Sequence, residues 1–346
     1  MKKTTLLLLT LAFLAMGAAA QNMTDKQGRR QGHWIRTDRG GAKIYEGDFV
    51  DGQETGTFTY YYTDGTVRIR NIYSEPGKRC THEAYDEQGH LLARGEYNQR
   101  NRDGQWQFFA EDGRLVKEAS YKMGVKDGQH VIYDRKGDTA EVTHWQDNRK
   151  HGRWWKRIGN TGYITANYVR GGVEGHLLEY DDNGQMVRDG EYKEGMRHGK
   201  NLLYENNELV AEEDWQHGVM TDRKILLNTA KEKLYISIHD IACMAPRGNS
   251  KTLVFMTDST EMVANEESDI VYNRAGGELF SLANRKNRIM VANSRVQGIG
   301  KDGEGREILL LEPQPPFAIF PDEDCHKLVE SLRPHPQTPT PVGEGE

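Results

Sequence analysis

The chain has few cysteines, few prolines and a single long apolar run, and each scarcity excludes a class of protein. Its 346 residues include 3 Cys and 10 Pro. Three thiols (Cys80, Cys243 and Cys325) are too few for a disulfide scaffold, and an odd count leaves at least one unpaired, with a Cys243–Cys325 bridge left open. The net charge of −6 and the pI of about 6.1 do not favour general nucleic-acid binding.

The one long apolar run lies at the N-terminus. Lys2 and Lys3 precede the stretch Leu6 to Met16, and Ala18 and Ala20 occupy the −3 and −1 positions of a small-residue cleavage site. We therefore predict a signal peptide over residues 1–20, cleaved near Ala20. The alternative is an uncleaved anchor, although the run is short for a membrane span. The mature chain is predicted to lack an integral membrane span and to be periplasmic, at the cell surface or secreted.

Glycine and aromatic residues recur at one regular spacing between positions 30 and 222. The leading glycines are Gly32, Gly56, Gly104, Gly128, Gly152, Gly175 and Gly199, and Cys80 occupies the single missing position. An unbroken aromatic series has the same spacing: Phe49, Tyr73, Tyr97, Tyr121, Trp145, Tyr168, Tyr192 and Trp215. A second glycine series, which includes Gly41 and Gly65, keeps the same register. The period of about 24 residues is typical of tandem repeats, and the array holds about eight copies.

Each copy has the pattern of a β-hairpin, in which two aromatic-rich runs are separated by a turn. Turn sequences such as Asp64-Gly65 and Asn183-Gly184 suit backbone with positive φ. The only proline of the array is Pro76, so the strands keep their backbone donors. Sixteen such strands would extend roughly 75 Å. The predicted fold class is mainly β, with an elongated solenoid-like sheet of hairpin repeats followed by a small α+β domain.

Two segments of the array are GEYNQRNRDGQWQFFAEDGRLVKEASYKMG and GEYKEGMRHGKNLLYENNELV, and His-Gly steps occur at His151 and His198. In these segments and steps the repeat resembles the MORN repeat in its bacterial, antitoxin-like variant. The resemblance covers the whole array, from position 30 to position 222. It implies a scaffold or interaction surface, and an export signal argues against a toxin–antitoxin role.

Residues 225–332 differ in composition from the array and are predicted to form an α+β domain. This domain follows a short N-terminal segment at 21–29 and the array at 30–222. Apolar positions recur at a constant offset, the one that separates Ile241 from Val296, which suggests two βββα copies. RIMVANSRVQGI, REILLL and DEDCHKLVESL resemble the LytTR domain, or a small PH-type fold, at the level of fold. The region holds 12 Lys and Arg against 16 Asp and Glu, which argues against DNA as its partner. Residues 333–346 are predicted to be a disordered, Pro-rich tail.

The sequence shows no catalytic, cofactor or metal signature. The 12 His residues follow the repeat and are not clustered at the spacing that metal ligands need. No nucleophile elbow surrounds any serine. We therefore predict no catalytic residue, no cofactor and no metal.

Aromatic residues beside the consensus positions are the candidates for partner binding. Alternation along a strand places some side chains on a face away from the repeat's aromatic core, and the candidates are Tyr60, Tyr62, Phe108, Trp155, Lys156 and Arg157. Packing in a second layer is the alternative role for them.

The predicted function is that of an exported, non-enzymatic binding or scaffold protein that presents its β-repeat surface to a protein partner of the cell envelope. The alternatives are a glycan or envelope-polymer binder, and an enzyme whose site lies where the array meets the C-terminal domain.

Overall fold

The computed structural model describes residues 21–248, 250–276 and 279–332. The predicted signal peptide and the predicted Pro-rich tail lie outside the described residues. The chain divides into two compact units, residues 1–174 and 175–346.

Unit 1 is built from antiparallel strands, each hydrogen-bonded to the next along the chain. They are β1 (Met23–Thr24), β2 (Arg30–Thr37), β3 (Lys43–Val50), β4 (Gln53–Tyr61), β5 (Val67–Glu75), β6 (Arg79–Tyr85), β7 (Leu91–Asn98), β8 (Asn101–Phe109), β9 (Leu115–Lys122), β10 (Val125–Tyr133), β11 (Thr139–Gln146), β12 (Arg149–Ile158) and β13 (Gly162–Val169). β14 (Gly172–Tyr180) contains the boundary between the units. Two-residue turns such as Asp51-Gly52, with φ of 52° and 80°, connect successive hairpins.

The leading glycines mark β-bulges in the ladder. Gly56 has a φ of 61° and lies within the register shift between β3 and β4, where Glu46 pairs with Thr59 but Asp48 pairs with Thr55. A residue with a side chain is disfavoured at such a φ, which accounts for the glycine series. At Cys80 the bulge has moved, because Tyr73 pairs with Cys80 and Glu75 pairs with Arg79, so Ser74 is the extra residue. Cys80 therefore needs no positive φ.

In two repeats, the aromatic residue two positions after the leading glycine packs over a glycine on the neighbouring strand. Phe58 and Trp106 are each 1% exposed. A Cβ atom on Gly47 would lie 2.2 Å from the Phe58 ring, and one on Gly95 would lie 2.4 Å from the Trp106 ring. The rings therefore lie flat against bare backbone, and we call this face of the sheet the ring face.

Unit 2 continues the hairpin pattern and then changes architecture. Its strands are β15 (Met186–Lys193), β16 (Met196–Glu205), β17 (Glu208–Gln216), β18 (Val219–Asn228), β19 (Lys233–Ser237), β20 (Ile241–Pro246), β21 (Thr252–Met256), β22 (Glu261–Ala264), β23 (Phe280–Asn284), β24 (Ile289–Ala292), β25 (Val296–Lys301) and β26 (Glu307–Leu311). Its helices are α1 (Ser268–Ala275) and α2 (Glu323–Leu332).

The strands of unit 1 and strands β15 to β19 of unit 2 form antiparallel ladders, so the fold is mainly β as predicted. β18 crosses the predicted boundary at residues 222–225 and pairs with both β17 and β19. The hairpin pattern of unit 2 therefore continues past residue 222 into β18 and β19. Ile225, Leu226 and Leu227 are strand residues of β18 and are fully buried.

The remaining strands form a five-stranded sheet in the order β22-β21-β20-β24-β23 and a separate β25–β26 hairpin. β20 and β25 begin at 241 and 296, β21 and β26 at 252 and 307, and α1 and α2 at 268 and 323. The three pairs share one offset, which is the offset on which the two-copy interpretation is based. The second copy has no strand at the place of β22, but the carbonyl of Ile319 accepts a hydrogen bond from the Leu309 amide at 2.8 Å.

Two apolar clusters form the core of unit 2, and both C-terminal cysteines lie in one of them. Cys243 and Cys325 are buried beside Val291 and Ile319, and both are free thiols. The disulfide that the sequence left open is therefore not present. Burial raises the pKa of Cys243 to about 12 and that of Cys325 to about 11.

We expect all three thiols to react slowly in the folded protein and rapidly after unfolding. Cys80 is 4% exposed, and burial raises its pKa to about 11. Because the thiolate is the reactive species, both inaccessibility and the raised pKa suppress alkylation. Maleimide labelling with and without urea, read by mass spectrometry, measures this. Rapid labelling of any of the three in the native protein would contradict it.

Asn201 takes the ring position of its repeat and is predicted to destabilise unit 2. It is 1% exposed and faces Gly190 as Phe58 faces Gly47. Neither its Oδ1 nor its Nδ2 has a hydrogen-bond partner in the part of the chain that the structure describes. Asn201→Leu should raise the free energy of unfolding by about 1–3 kcal/mol, the cost of an unpaired buried amide. In urea denaturation, Asn201→Asp is the matched control and should destabilise, and equal losses from both variants would refute the argument.

Candidate functional site: the tyrosine hollow

The third repeat departs from the pattern at two neighbouring ring-face positions. Cys80 replaces the leading glycine, and His82 replaces the large ring held by Phe58 and Trp106 in the repeats on either side. A cavity of about 330 Å³ opens at this place in unit 1. We call it the tyrosine hollow and define it by six residues, Glu54, Tyr60, Tyr73, Cys80, His82 and Tyr97. Lys78 and Arg100, both exposed, also line it.

Strand register brings these side chains to one place. Tyr73 pairs directly with Cys80, and Cys80 pairs directly with Tyr97. Directly paired residues in antiparallel strands have their side chains on the same face. Three side chains from β5, β6 and β7 thus lie in a row, and Glu54 and Tyr60 are contributed by β4.

Hydrogen bonds order the side chains of the hollow. The Tyr60 hydroxyl donates to Glu54 Oε1 at 3.3 Å, and the Tyr73 hydroxyl donates to Glu54 Oε2. His82 Nδ1 lies 2.8 Å from Asn71 Oδ1. The Tyr97 ring meets the His82 ring edge to face, with centroids 5.0 Å apart. One carboxylate therefore holds two phenols, while the third tyrosine is held by ring contacts.

Burial dominates the electrostatics of these groups. It raises the pKa of Tyr60 to about 12, with the Glu54 charge as the next cause. It also raises the pKa of Tyr73, where the hydrogen bond to Glu54 is the next cause. Burial also lowers the pKa of His82, with the charge of Arg102 adding to the effect. The Tyr60 and Tyr73 phenols, the Cys80 thiol and the His82 imidazole are thus favoured in their neutral forms.

These properties suit binding more than proton transfer or covalent chemistry. A general acid or base works best with a pKa near the operating pH, and a reactive cysteine needs a lowered pKa. Tyr60, Tyr73 and Cys80 have pKa values that are raised, away from the operating pH. Among residues 21–248, 250–276 and 279–332, no group of three potential metal ligands comes together.

The structure does not assemble the six predicted binding residues into one site. Tyr60 lies in the hollow, on the same face as Phe58, because it follows that residue by two along the strand. Phe108 likewise stacks on Trp106, with ring centroids 6.2 Å apart. Both are therefore on the ring face and not on the opposite one.

The other predicted residues lie elsewhere on the array. The Tyr62 hydroxyl donates to the carbonyl of Tyr85 at 2.8 Å. Trp155 stacks on Tyr163 at 6.1 Å, Lys156 is exposed, and Arg157 is held by Asp134 at 3.0 Å. β4, β8 and β12 are separated by four strands at each step, roughly 19 Å. These residues remain candidates for partner binding as separate positions.

Sequence reasoning missed Glu54, Tyr73, His82 and Tyr97 as parts of a site. Tyr73 and Tyr97 belong to the regular aromatic series and looked structural. The available signal was a break in the repeat pattern at three positions. Cys80 stands in place of a glycine, His82 in place of a large ring, and Glu54 is an acid where most repeats have a base.

Two hairpins of the array match a known family model. Residues 102–123 and 173–194 match the MORN repeat variant, and each match spans one hairpin. The chain carries MORN repeats. The surrounding array fits a MORN-repeat protein, whereas the antitoxin-like type and the LytTR-like or PH-like C-terminal fold remain predictions.

Other comparisons add little to the MORN assignment. No curated protein matches the chain. A solved structure described as "Crystal Structure of TcdB2-TccC3-TEV" aligns with 82% of this chain and 18% of that one, at 9% identity and a TM-score of 0.14. At that score the likeness supports no argument. No helix in the described part of the chain is long and apolar enough to cross a membrane.

Proposed function

We propose that this protein is an exported, non-enzymatic scaffold whose MORN-repeat array binds a protein partner of the cell envelope. The observation that carries the proposal is the tyrosine hollow, where the array interrupts its own packing and leaves three tyrosines around a cavity. Aromatic side chains around a concave site are typical of binding surfaces. The N-terminal pattern of residues 1–20 supports export.

Site-specific photocrosslinking in the envelope of the source cell tests this proposal. A benzophenone amino acid would replace Tyr62, Phe108 or Lys156 on the array, and Leu310 in unit 2 would serve as an exposed control outside the array. We expect a discrete crosslinked protein from at least one array position and none from the control. Crosslinks from the control alone, or a mature chain whose N-terminus is not near Gln21, would contradict binding by the array or export respectively.

A glycan-binding role is the second candidate, and the hollow supports it with three tyrosine rings beside polar Asn71 and Glu54. Trp106 lies next to the hollow, since its ring centroid is 5.5 Å from that of His82. Binding of a saccharide should therefore change tryptophan fluorescence. A flat titration with envelope oligosaccharides would reject this candidate and leave the protein-binding proposal intact.

A further inference from the structure

We infer that the tyrosine hollow binds a cationic side chain, the guanidinium of an arginine or the ammonium of a lysine, on a basic segment of a partner. The inference rests on the proposed function as a binding protein and specifies the chemistry of the partner at one place on the array.

One contact between a cation and an aromatic ring recurs through the array. Most repeats carry a lysine or arginine two positions before the leading glycine. In five of them, the charged group lies over the next residue of the aromatic series along the chain. The distances to the ring centroid are 5.1 Å for Arg30 and Phe49, 5.6 Å for Arg102 and Tyr121, 4.4 Å for Lys126 and Trp145, 5.0 Å for Lys150 and Tyr168, and 4.6 Å for Arg197 and Trp215. We call this position the clamp. The array therefore covers these rings with its own cations.

The second repeat breaks the clamp by reversing its charge. Glu54 occupies the clamp position before Gly56, and the next ring of the aromatic series is Tyr73. The Tyr73 hydroxyl donates a hydrogen bond to the Glu54 carboxylate, so the clamp position supplies this ring with an anion and not with a cation. Val173 is the other clamp position without a base, but it is apolar and buried, whereas Lys78, at the clamp position before Cys80, is basic and lines the hollow. Only Glu54 places a negative charge at a clamp position beside a cavity.

This arrangement is complementary to a cation supplied from outside. Aromatic faces attract cations, and a carboxylate strengthens the attraction through charge-assisted hydrogen bonds. Tyr60 and Tyr73 hold both Glu54 oxygens in place, so the charge is ordered before a ligand arrives. The cavity of about 330 Å³ has room for a guanidinium with its methylene stem.

Two basic residues at the hollow oppose the binding of a cation. Lys78 and Arg100 are exposed, and water and salt screen exposed charges strongly. Glu54 is only partly exposed and bonded within the hollow, so its charge is felt more by a group inside the cavity. Removal of a rim charge, as in Arg100→Ser, should accordingly tighten the binding of a cation.

Calorimetric titration of the mature protein with short peptides tests the inference. The probes are acetyl-Gly-Gly-Arg-Gly-Gly-amide, the same peptide with neutral citrulline, and the same peptide with glutamate. We expect the arginine peptide to bind and the other two not to bind. Equal binding of the citrulline peptide, or tighter binding of the glutamate peptide, would overturn the inference.

Variants at Glu54 identify the site. Glu54→Gln keeps the shape of the side chain and should weaken arginine binding on the order of tenfold or more. Glu54→Lys restores a base at the clamp position and should abolish binding of the arginine peptide. The thermal unfolding temperature of this variant should be unchanged or higher. Glu87→Gln, an exposed turn carboxylate, is the matched control and should bind as the parent does. Unchanged affinity in Glu54→Gln would refute the inference even where Glu54→Lys fails to fold.

The outcome is separable from that of the proposed function. The photocrosslinks at Tyr62, Phe108 and Lys156 do not depend on Glu54. If the array crosslinks to a partner but the protein does not bind the arginine peptide, the scaffold proposal stands and the cation site is rejected.

Discussion

Trp106→Ala is expected to lower the free energy of local unfolding around β7 to β9 by about 3–5 kcal/mol. Trp106 is 1% exposed, and its ring contacts His82, Tyr97 and Phe108, with the nearest centroid at 4.9 Å. Its indole Nε1 donates to the Glu96 carbonyl at 3.0 Å. Truncation therefore leaves a cavity and an unpaired acceptor. Because repeat arrays open locally, hydrogen exchange of the β7, β8 and β9 amides is the appropriate measurement.

A double-mutant cycle with Gly95 shows whether the flat contact of ring on backbone is the cause. Gly95→Ala would place a Cβ 2.4 Å from the Trp106 ring, a steric conflict worth about 1–3 kcal/mol. In the Trp106→Ala background the same change should cost almost nothing. Gly303→Ala is the control, since no atom lies within 4 Å of its Cβ position. Additive losses from the two substitutions would contradict the proposed packing.

Arg274→Ala is expected to destabilise unit 2 by about 3–5 kcal/mol, the cost of breaking a buried ion pair. Arg274 lies on α1 with 7% of its side chain exposed, and its guanidinium contacts Glu266 at 2.7 Å and Glu205 at 2.9 Å. It also donates to the Leu226 carbonyl at 3.1 Å. Without it, the Glu266 carboxylate, 12% exposed, keeps its charge but loses this partner. The measurement is urea denaturation together with hydrogen exchange of the α1 amides.

Two further variants separate the buried charge from the loss of packing. Arg274→Met combined with Glu266→Gln removes both charges and should recover part of the stability. Arg288→Ala removes an exposed pair with Asp269, 56% exposed on the arginine side, and should cost no more than about 1 kcal/mol. If Arg274→Ala and Arg288→Ala cost the same, burial of Arg274 is not the source of its effect.

The sequence alone was sufficient to predict the hairpin array. The residues that build a hairpin are close together in the chain: a glycine such as Gly56 at the bulge, Asp64-Gly65 at the turn, and alternating side chains between them. Backbone preferences of this kind act between near neighbours, so their regular recurrence along the chain makes them visible.

Only the tertiary structure decided which side chains meet. Tyr73, Cys80 and Tyr97 come together because a displaced bulge sets the register of β5 against β6, and the sequence carries no separate mark of that register. Arg274 meets Glu205 across 69 residues of chain. Contacts of this kind depend on how whole strands and helices pack, since side-chain packing is a property of the assembled fold. For the same reason, Tyr60 and Phe108, predicted as candidates for an open face, lie instead on the ring face.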